Sequence, residues 1–163
     1  MKIDIRRVEP GDYKAVCEVH AQPNALRGTL QLPFPSEEMW KQRLEASGEE
    51  KYMLVACIES EIVAMGGLDL FPKSPRRRHA GHIGLAVHDK WQSKGVGSAL
   101  MRALIDLADN WLDLSRLELS VFTDNEPALK LYKKLGFVVE GTHKKFAFRD
   151  GKYVDAYTMA RVR

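Results

Sequence analysis

The sequence predicts an α+β protein, a mixed and mostly antiparallel sheet with helices packed on it, in one domain covering residues 1–163. Three observations carry the prediction. Alternating or β-branched runs and amphipathic runs follow in the order β-α-α-β-β-β-α-β-α-β-β, without the strict strand–helix alternation of a doubly wound fold. Hydrophobic residues make up 45% and charged residues 29% of the chain, a balance that supports a packed core and excludes a disordered or fibrous protein. Finally, 163 residues are too few for two independent cores of ordinary size.

Residues 2–7 alternate charged and aliphatic side chains and read as a short strand with Ile3 and Ile5 on one face. This start lacks the apolar block of a leader, and the longest apolar runs, 53–58 and 62–68, are about a third of the ~20 residues a spanning helix needs. A cytoplasmic protein with no membrane partner is the expectation. Pro10 and Gly11 break the strand. Asp12 is the expected N-cap of a helix carrying Ala15, Val16, Val19 and His20 on one face and ending near Pro23. Residues 26–35 contain Gly28, Pro33 and Pro35 but also Leu30, Leu32 and Phe34, an apolar loop expected to cover something. Ser36 should cap a second helix running to Leu44, with Glu37 and Glu38 in its first turn, where the helix dipole favours acids.

Residues 52–59 and 62–71 are aliphatic and β-branched and are separated by Ser60-Glu61, the pattern of an antiparallel hairpin. A basic loop, 72–78, leads to a strand over 79–87. The helix expected over 95–111 carries one apolar stripe of Leu100, Ala103, Leu104, Leu107, Ala108 and Trp111. A strand over 116–121 places Leu117, Leu119 and Val121 on one face, and a helix over 126–135 stops at Gly136. The last two strands, 138–148 and 152–162, flank Asp150-Gly151, a two-residue hairpin signal.

Lys and Arg (25) minus Asp and Glu (22) leave +3, too mild to imply nucleic acid and only weakly favouring anionic ligands. Cys17 and Cys57 lie in apolar patterns without CxxC spacing, so they read as buried thiols, and no metal is expected.

The sharpest motif is Val87-His88-Asp89-Lys90-Trp91-Gln92-Ser93-Lys94-Gly95-Val96-Gly97-Ser98, which joins a strand end to a helix start. Glycines at 95 and 97 let backbone approach a ligand, and the first-turn N–H groups lack intrahelical acceptors, so a pyrophosphate can supply them. Gln92, Lys94 and Ser98 add donors. A dinucleotide fingerprint would need a third glycine where Leu100 stands, and a P-loop would need Gly-Lys-Ser/Thr after four spacers. The fitting pattern is Gln/Arg-x-x-Gly-x-Gly/Ala. With Asp124-Asn125-Glu126-Pro127-Ala128-Leu129-Lys130-Leu131-Tyr132-Lys133-Lys134-Leu135-Gly136-Phe137 some thirty residues on, the sequence resembles the GNAT superfamily of acetyl-CoA-dependent N-acetyltransferases. The likeness runs along nearly the whole chain. Four segments, His20-Ala21-Gln22-Pro23, Pro33-Phe34-Pro35-Ser36, Asp109-Asn110-Trp111-Leu112 and Tyr153-Val154-Asp155-Ala156-Tyr157, look like the bacterial L-amino-acid N-acyltransferase branch.

The resemblance implies a GNAT-like fold whose two splayed parallel strands, here 79–87 and 116–121, hold the pantetheine arm of acetyl-CoA. Leu85, Ala86 and Val87 would pair with that arm, and a nearby N–H would polarise the thioester carbonyl. By the same resemblance Gln92, Ser93, Lys94, Gly95, Val96, Gly97 and Ser98 bind the pyrophosphate, while Asn125, Ala128, Tyr132 and Lys134 contact the cofactor from the other side. Tyr132 is then the expected acid for the departing thiolate, although Ala128, Leu131, Tyr132 and Leu135 also share one helical face that could simply be core. His82 stands where relatives carry a carboxylate base, and Asp69 or Glu118 could hold a relay water.

For the acceptor, Arg76-Arg77-Arg78 precedes that strand, and Arg78 aligns best with an arginine that grips a substrate carboxylate in amino-acid-acetylating relatives. A solvated basic loop is the plain alternative. Leu30, Leu32 and Phe34 would form an apolar wall suited to a hydrophobic side chain. The expectation is acetyl transfer to the α-amino group of a free amino acid by an enzyme that relatives suggest is a homodimer. A protein N-terminus, a polyamine or an aminoglycoside as acceptor, a noncatalytic acyl-CoA sensor, and a nucleic-acid module using the arginine loop are the rivals.

Overall fold

A computed structural model describes residues 1–163. Its strands are β1 (Asp4–Arg7), β2 (Lys51–Ile58), β3 (Glu61–Leu70), β4 (Ala80–Val87), β5 (Arg116–Phe122), β6 (Val138–Arg149) and β7 (Lys152–Val162). Between them run α1 (Tyr13–Ala21), α2 (Pro23–Arg27), α3 (Glu37–Glu45), α4 (Val96–Asn110) and α5 (Glu126–Lys134). The strands form one sheet in the order β1-β2-β3-β4-β5-β7-β6, antiparallel at every junction except β4–β5.

That parallel junction is short. Only Ala80, Gly81 and His82 pair with Arg116, Leu117 and Glu118. Past this point β4 stays on β3 as far as Val87, and β5 stays on β7 as far as Phe122. The two strands therefore part, and the backbone of residues 83–87 and 119–122 faces a gap with no sheet partner on that side.

Period-two alternation sends the two faces of β4 to different cores. Ile83 packs with Leu100, Met101 and Leu104 of α4, all sealed from solvent, whereas Ala86 packs with Val19 of α1 and Ala25 of α2. Each such leucine contributes on the order of 1.5–3 kcal/mol by burial, which anchors α4 across β3 and β4. A second cluster, with Val16 and Cys17 of α1, Trp40 and Leu44 of α3, and Met65 of β3, fills the opposite face. The expected thiols are both buried and unpaired. No helix is long and apolar enough to cross a membrane.

Several expectations shift. The segment after Pro23 is helical as α2 before it becomes the expected loop. Asp12 sits at the N-cap position but makes no side-chain cap, because its carboxylate takes the Arg6 guanidinium at 2.8 and 2.9 Å and the Glu9 N–H at 2.8 Å. The β2–β3 turn lies at Glu59 and Ser60, both at positive φ, one residue earlier than Ser60-Glu61. Ser36 caps α3 as expected, accepting from the Met39 N–H at 3.2 Å. The apolar loop covers a cavity only with its first part, where Gly28 to Gln31 form part of the lining, while Leu30, Leu32 and Phe34 remain 67%, 80% and 98% exposed.

Candidate active site

A cleft of about 770 Å³ follows the gap between β4 and β5. One wall is the turn into α4. Gly95 adopts φ +84°, a left-handed conformation that side chains resist, and it turns the chain so that the first N–H groups of α4 open outward. Gly97 is glycine for a different reason: a Cβ there would stand 3.3 Å from the Leu131 and Leu85 side chains. The floor comes from Leu85, Ala86 and Val87 of β4 and the far wall from Asn125, Ala128 and Tyr132.

Side chains around this turn fix its shape. Gln92 donates from Nε2 to the Val87 carbonyl (3.1 Å) and to Asp89 (3.2 Å). Asp89 in turn accepts the N–H groups of Asn24 (2.9 Å) and Ala25 (3.1 Å), first-turn donors of α2 that lack an intrahelical acceptor. One carboxylate thus ties α2 to the mouth of the cleft. Asn125 caps α5 by accepting from the Ala128 N–H at 3.3 Å, so it builds the wall it stands in.

A second cavity, about 360 Å³, meets the first at Leu85, Ala86, Ser120, Val121 and Tyr132. It lies on the α1 side of the sheet, between β4, α1, the Gly28–Gln31 stretch and Phe146 of β6. Its only ionisable lining residues are His20, His82 and Tyr132. Tyr132 is 7% exposed, and burial pushes its phenol up to about 12, so the hydroxyl keeps its proton throughout the neutral range.

The structure brings most of the expected site residues together. Leu85, Ala86, Val87, Gln92, Ser93, Gly95, Gly97, Ser98, Asn125, Ala128, Tyr132 and Lys134 line the first cleft, and His82 lines the second. Two of the expected cofactor-binding residues do not line the cleft. Lys94 stands over the Trp91 ring at 5.0 Å, and Val96 is sealed in the core.

The base candidates fall in one row across the sheet, Asp69 opposite His82 and His82 opposite Glu118. Glu118 is already engaged by Arg77 and Arg116, each at 2.7 Å. Burial would raise its carboxyl, but those two arginines outweigh burial and hold it below the usual range. Arg78 is exposed, makes no ion pair and lines neither cavity, while its neighbour Arg77 carries the Glu118 contact. Leu32 and Phe34 likewise lie outside both linings.

Sequence reasoning missed the residues that arrive from distant elements. Arg27 ends α2 and Thr29 follows it, Ser120 is on β5, and Arg149 at the tip of β6 lines the cleft while pairing with Asp124. No local pattern marks them. His20 is missed too: the sequence places it on a helical face and in the family-like segment His20-Ala21-Gln22-Pro23 but assigns it no role.

The chain is similar to known proteins along its length. The acetyltransferase (GNAT) family matches residues 19–137. "L-amino acid N-acetyltransferase AaaT" of Escherichia coli (strain K12) is 49% identical over 162 residues, covering 99% of each chain. Among solved structures, an acetyltransferase of the GNAT family from Streptococcus pneumoniae has 28% identity and a TM-score of 0.83, covering 99% of both chains. A Salmonella typhimurium protein, yncA, solved with its cofactor acetyl-CoA, has the same fold at 20% identity, with a TM-score of 0.84 and coverage of 98% of this chain and 93% of that one.

Proposed function

The chain belongs to the acetyltransferase (GNAT) family, and from that membership we propose that it moves the acetyl group of acetyl-CoA to the α-amino group of a free, hydrophobic L-amino acid. The observation that carries the reading is the junction of the two cavities at Tyr132, in the gap where β4 and β5 part. A long donor and a small acceptor can enter from opposite sides and meet there. The 49% identity to an L-amino acid N-acetyltransferase across 99% of the chain supports the acceptor class. The lack of any Asp or Glu in the acceptor cavity argues against a polyamine, whose extra ammonium groups would need carboxylates.

The cleft fits acetyl-CoA. Open N–H groups at the α4 start suit a pyrophosphate, Lys130, Lys134 and Arg149 supply positive charge, and the unpaired strand edges at 83–87 and 119–122 suit an amide-bearing arm. When bound, acetyl-CoA supplies an acetyl group already activated as a thioester. Backbone N–H groups at Leu85 to Val87 orient that arm, and one of them stabilises charge building on the carbonyl oxygen. Tyr132 gives its proton to the departing sulfur. His82, exposed at the rim, carries the amine's proton outward. Arg77 is held by Glu118 and the Phe71 ring, while Arg76 and Arg78 are both without a partner; Arg78, the nearer of the two to β4, is assigned to the acceptor carboxylate, with Leu32 and Phe34 able to fold over the acceptor side chain. Cytoplasmic location and a homodimer are carried with this reading as expectations.

Thiol release from acetyl-CoA, measured over a panel of amino acids, their amides, polyamines and peptides, tests the assignment. Free hydrophobic amino acids should be the best acceptors. Amidation should cost the wild type heavily and Arg78→Ala little, because only the wild type has that contact to lose. Equal wild-type rates on acid and amide would remove the free-amino-acid reading, and no thiol release with any amine would leave a noncatalytic sensor.

A further inference from the structure

Besides Tyr132 and His82, the acceptor cavity holds a third ionisable group, His20 on α1. Its ring is 5% exposed and lies against the Trp40 ring, centroids 4.3 Å apart and tilted by 32°. Nδ1–H donates to the Val16 carbonyl at 2.9 Å, which fixes the tautomer and leaves the lone pair on Nε2. No protein group bonds Nε2. Only one side-chain polar atom is both sealed and unpartnered, and it is Trp40 Nε1. His20 Nε2 therefore opens onto the cavity that its residue lines.

The surroundings keep this imidazole neutral. Burial pushes it below the ordinary histidine range, the Val16 bond pulls the other way, and the Arg43 guanidinium on α3 adds to the lowering. Arg43 stands over the Trp40 ring and donates to Gln31 at 2.9 Å, so it also braces the loop that closes the cavity. The remaining ionisable groups facing the space are His82 from β4 and Tyr132 from α5, and no carboxylate lines it.

We propose that His20 Nε2 is the catalytic base of this site, taking the proton of the acceptor's ammonium group so that its nitrogen can attack. The assignment rests on the acetyl-transfer reading above. The balance is closed by groups already placed. The ammonium gives one proton to Nε2, its nitrogen forms the C–N bond as the C–S bond breaks, and that nitrogen then releases a second proton. Tyr132 protonates the sulfur and recovers a proton from those released. The other leaves by way of His82 to water, so one amine proton ends on the thiol and one in solvent. Of the two imidazoles, His20 is the one held in a single tautomer with its free nitrogen inside, which suits proton uptake. His82 is exposed and suits proton exit.

The test compares His20→Gln and His20→Asn with the wild type. Both keep a polar group in the ring's place and remove titration. Acetyl-CoA should still raise the melting temperature of each. Acceptor kcat/KM near pH 7 should fall by about 10²-fold or more, the usual size of general base catalysis. Wild-type kcat/KM should reach a plateau above its imidazole transition, whereas the variants should keep climbing with pH as free amine accumulates, so that the difference narrows at alkaline pH. A uniform loss at every pH would mean a packing role and overturn the proposal. So would a wild-type-like profile in the His20 variants together with a lost transition in His82→Gln, which would give the task to His82. If neither variant folds, histidine NMR of the wild type decides: an amino-acid acceptor should perturb the His20 Nε2 resonance, and an unmoved resonance overturns the proposal. Failure of the transfer reading is distinct, since the wild type itself would then release no thiol with any amine.

Discussion

Tyr132 spends its ring on the core and its hydroxyl on the gap. The ring packs near Phe137, centroids 5.9 Å apart, in the cluster that includes Leu119 and Val121 of β5, while the residue lines both cavities. Tyr132→Phe should therefore keep the melting temperature and the acetyl-CoA affinity and lower kcat by about 10²-fold or more, since only a proton donor is removed. Because burial raises the phenol to about 12, the wild type should show no loss from tyrosine ionisation up to roughly pH 10. An unchanged kcat, with chemistry shown to limit turnover, would return the residue to the core. At this scale the sequence was half legible. Helical spacing put Tyr132 on an apolar face with Ala128 and Leu131, but no spacing says that the face straddles a core and a gap. Three successive arginines are equivalent as text. Only the fold assigns Arg77 to Glu118 and leaves Arg76 and Arg78 free.

The elements that local patterns specify are those that can be argued from neighbours alone. α4 shows its stripe within its own fifteen residues, and the β6–β7 turn shows itself in Asp150-Gly151, both at positive φ. α2 is the contrary case. Five residues are far too few to hold a helix unaided, and its first donors are satisfied by Asp89, 65 and 64 residues away from Asn24 and Ala25. The α4 entry combines both kinds of control: the glycines are legible, while what Gly97 must avoid, Leu85 and Leu131, comes from two other elements. Replacing Gly95 and Gly97 together by Ala tests this element. Gly95→Ala meets no atom within 4 Å but puts a side chain at φ +84°, a cost of about 1–2 kcal/mol. Gly97→Ala crowds the two leucines. The protein should melt somewhat lower yet fold, and acetyl-CoA should no longer raise its melting temperature. A normal ligand-induced rise in the double variant would move the pyrophosphate site away from this turn.

At the scale of the whole molecule the sheet is two halves, β1-β2-β3-β4 and β5-β7-β6, joined by three parallel residue pairs at one end of a gap. The strand order was not written in any local pattern. Element order and the matching signatures implied a splayed pair, but which residues part company depends on how far β3 and β7 hold their partners. A donor lying in the gap would complete the hydrogen bonding of both halves at once, and amide exchange can distinguish that from binding at the helix ends alone. Without ligand, gap-facing amides within 83–87 and 119–122 should exchange faster than the doubly paired ones around 80–82 and 116–118. With acetyl-CoA at about 100 times its Kd, amides that exchange through global unfolding should slow by roughly 100-fold, the effect of about 2.7 kcal/mol of ligand stabilisation. Gap-facing amides should slow on both strands together, because one arm bridges both edges. Amides of the outer strand β6 that exchange by local fraying should hardly respond, since the ligand touches nothing that limits their opening. Protection confined to the first turns of α4 and α5, with the gap-facing amides unchanged, would mean that the ligand is held by its phosphates alone and that the parted strands do not position the acetyl group for Tyr132.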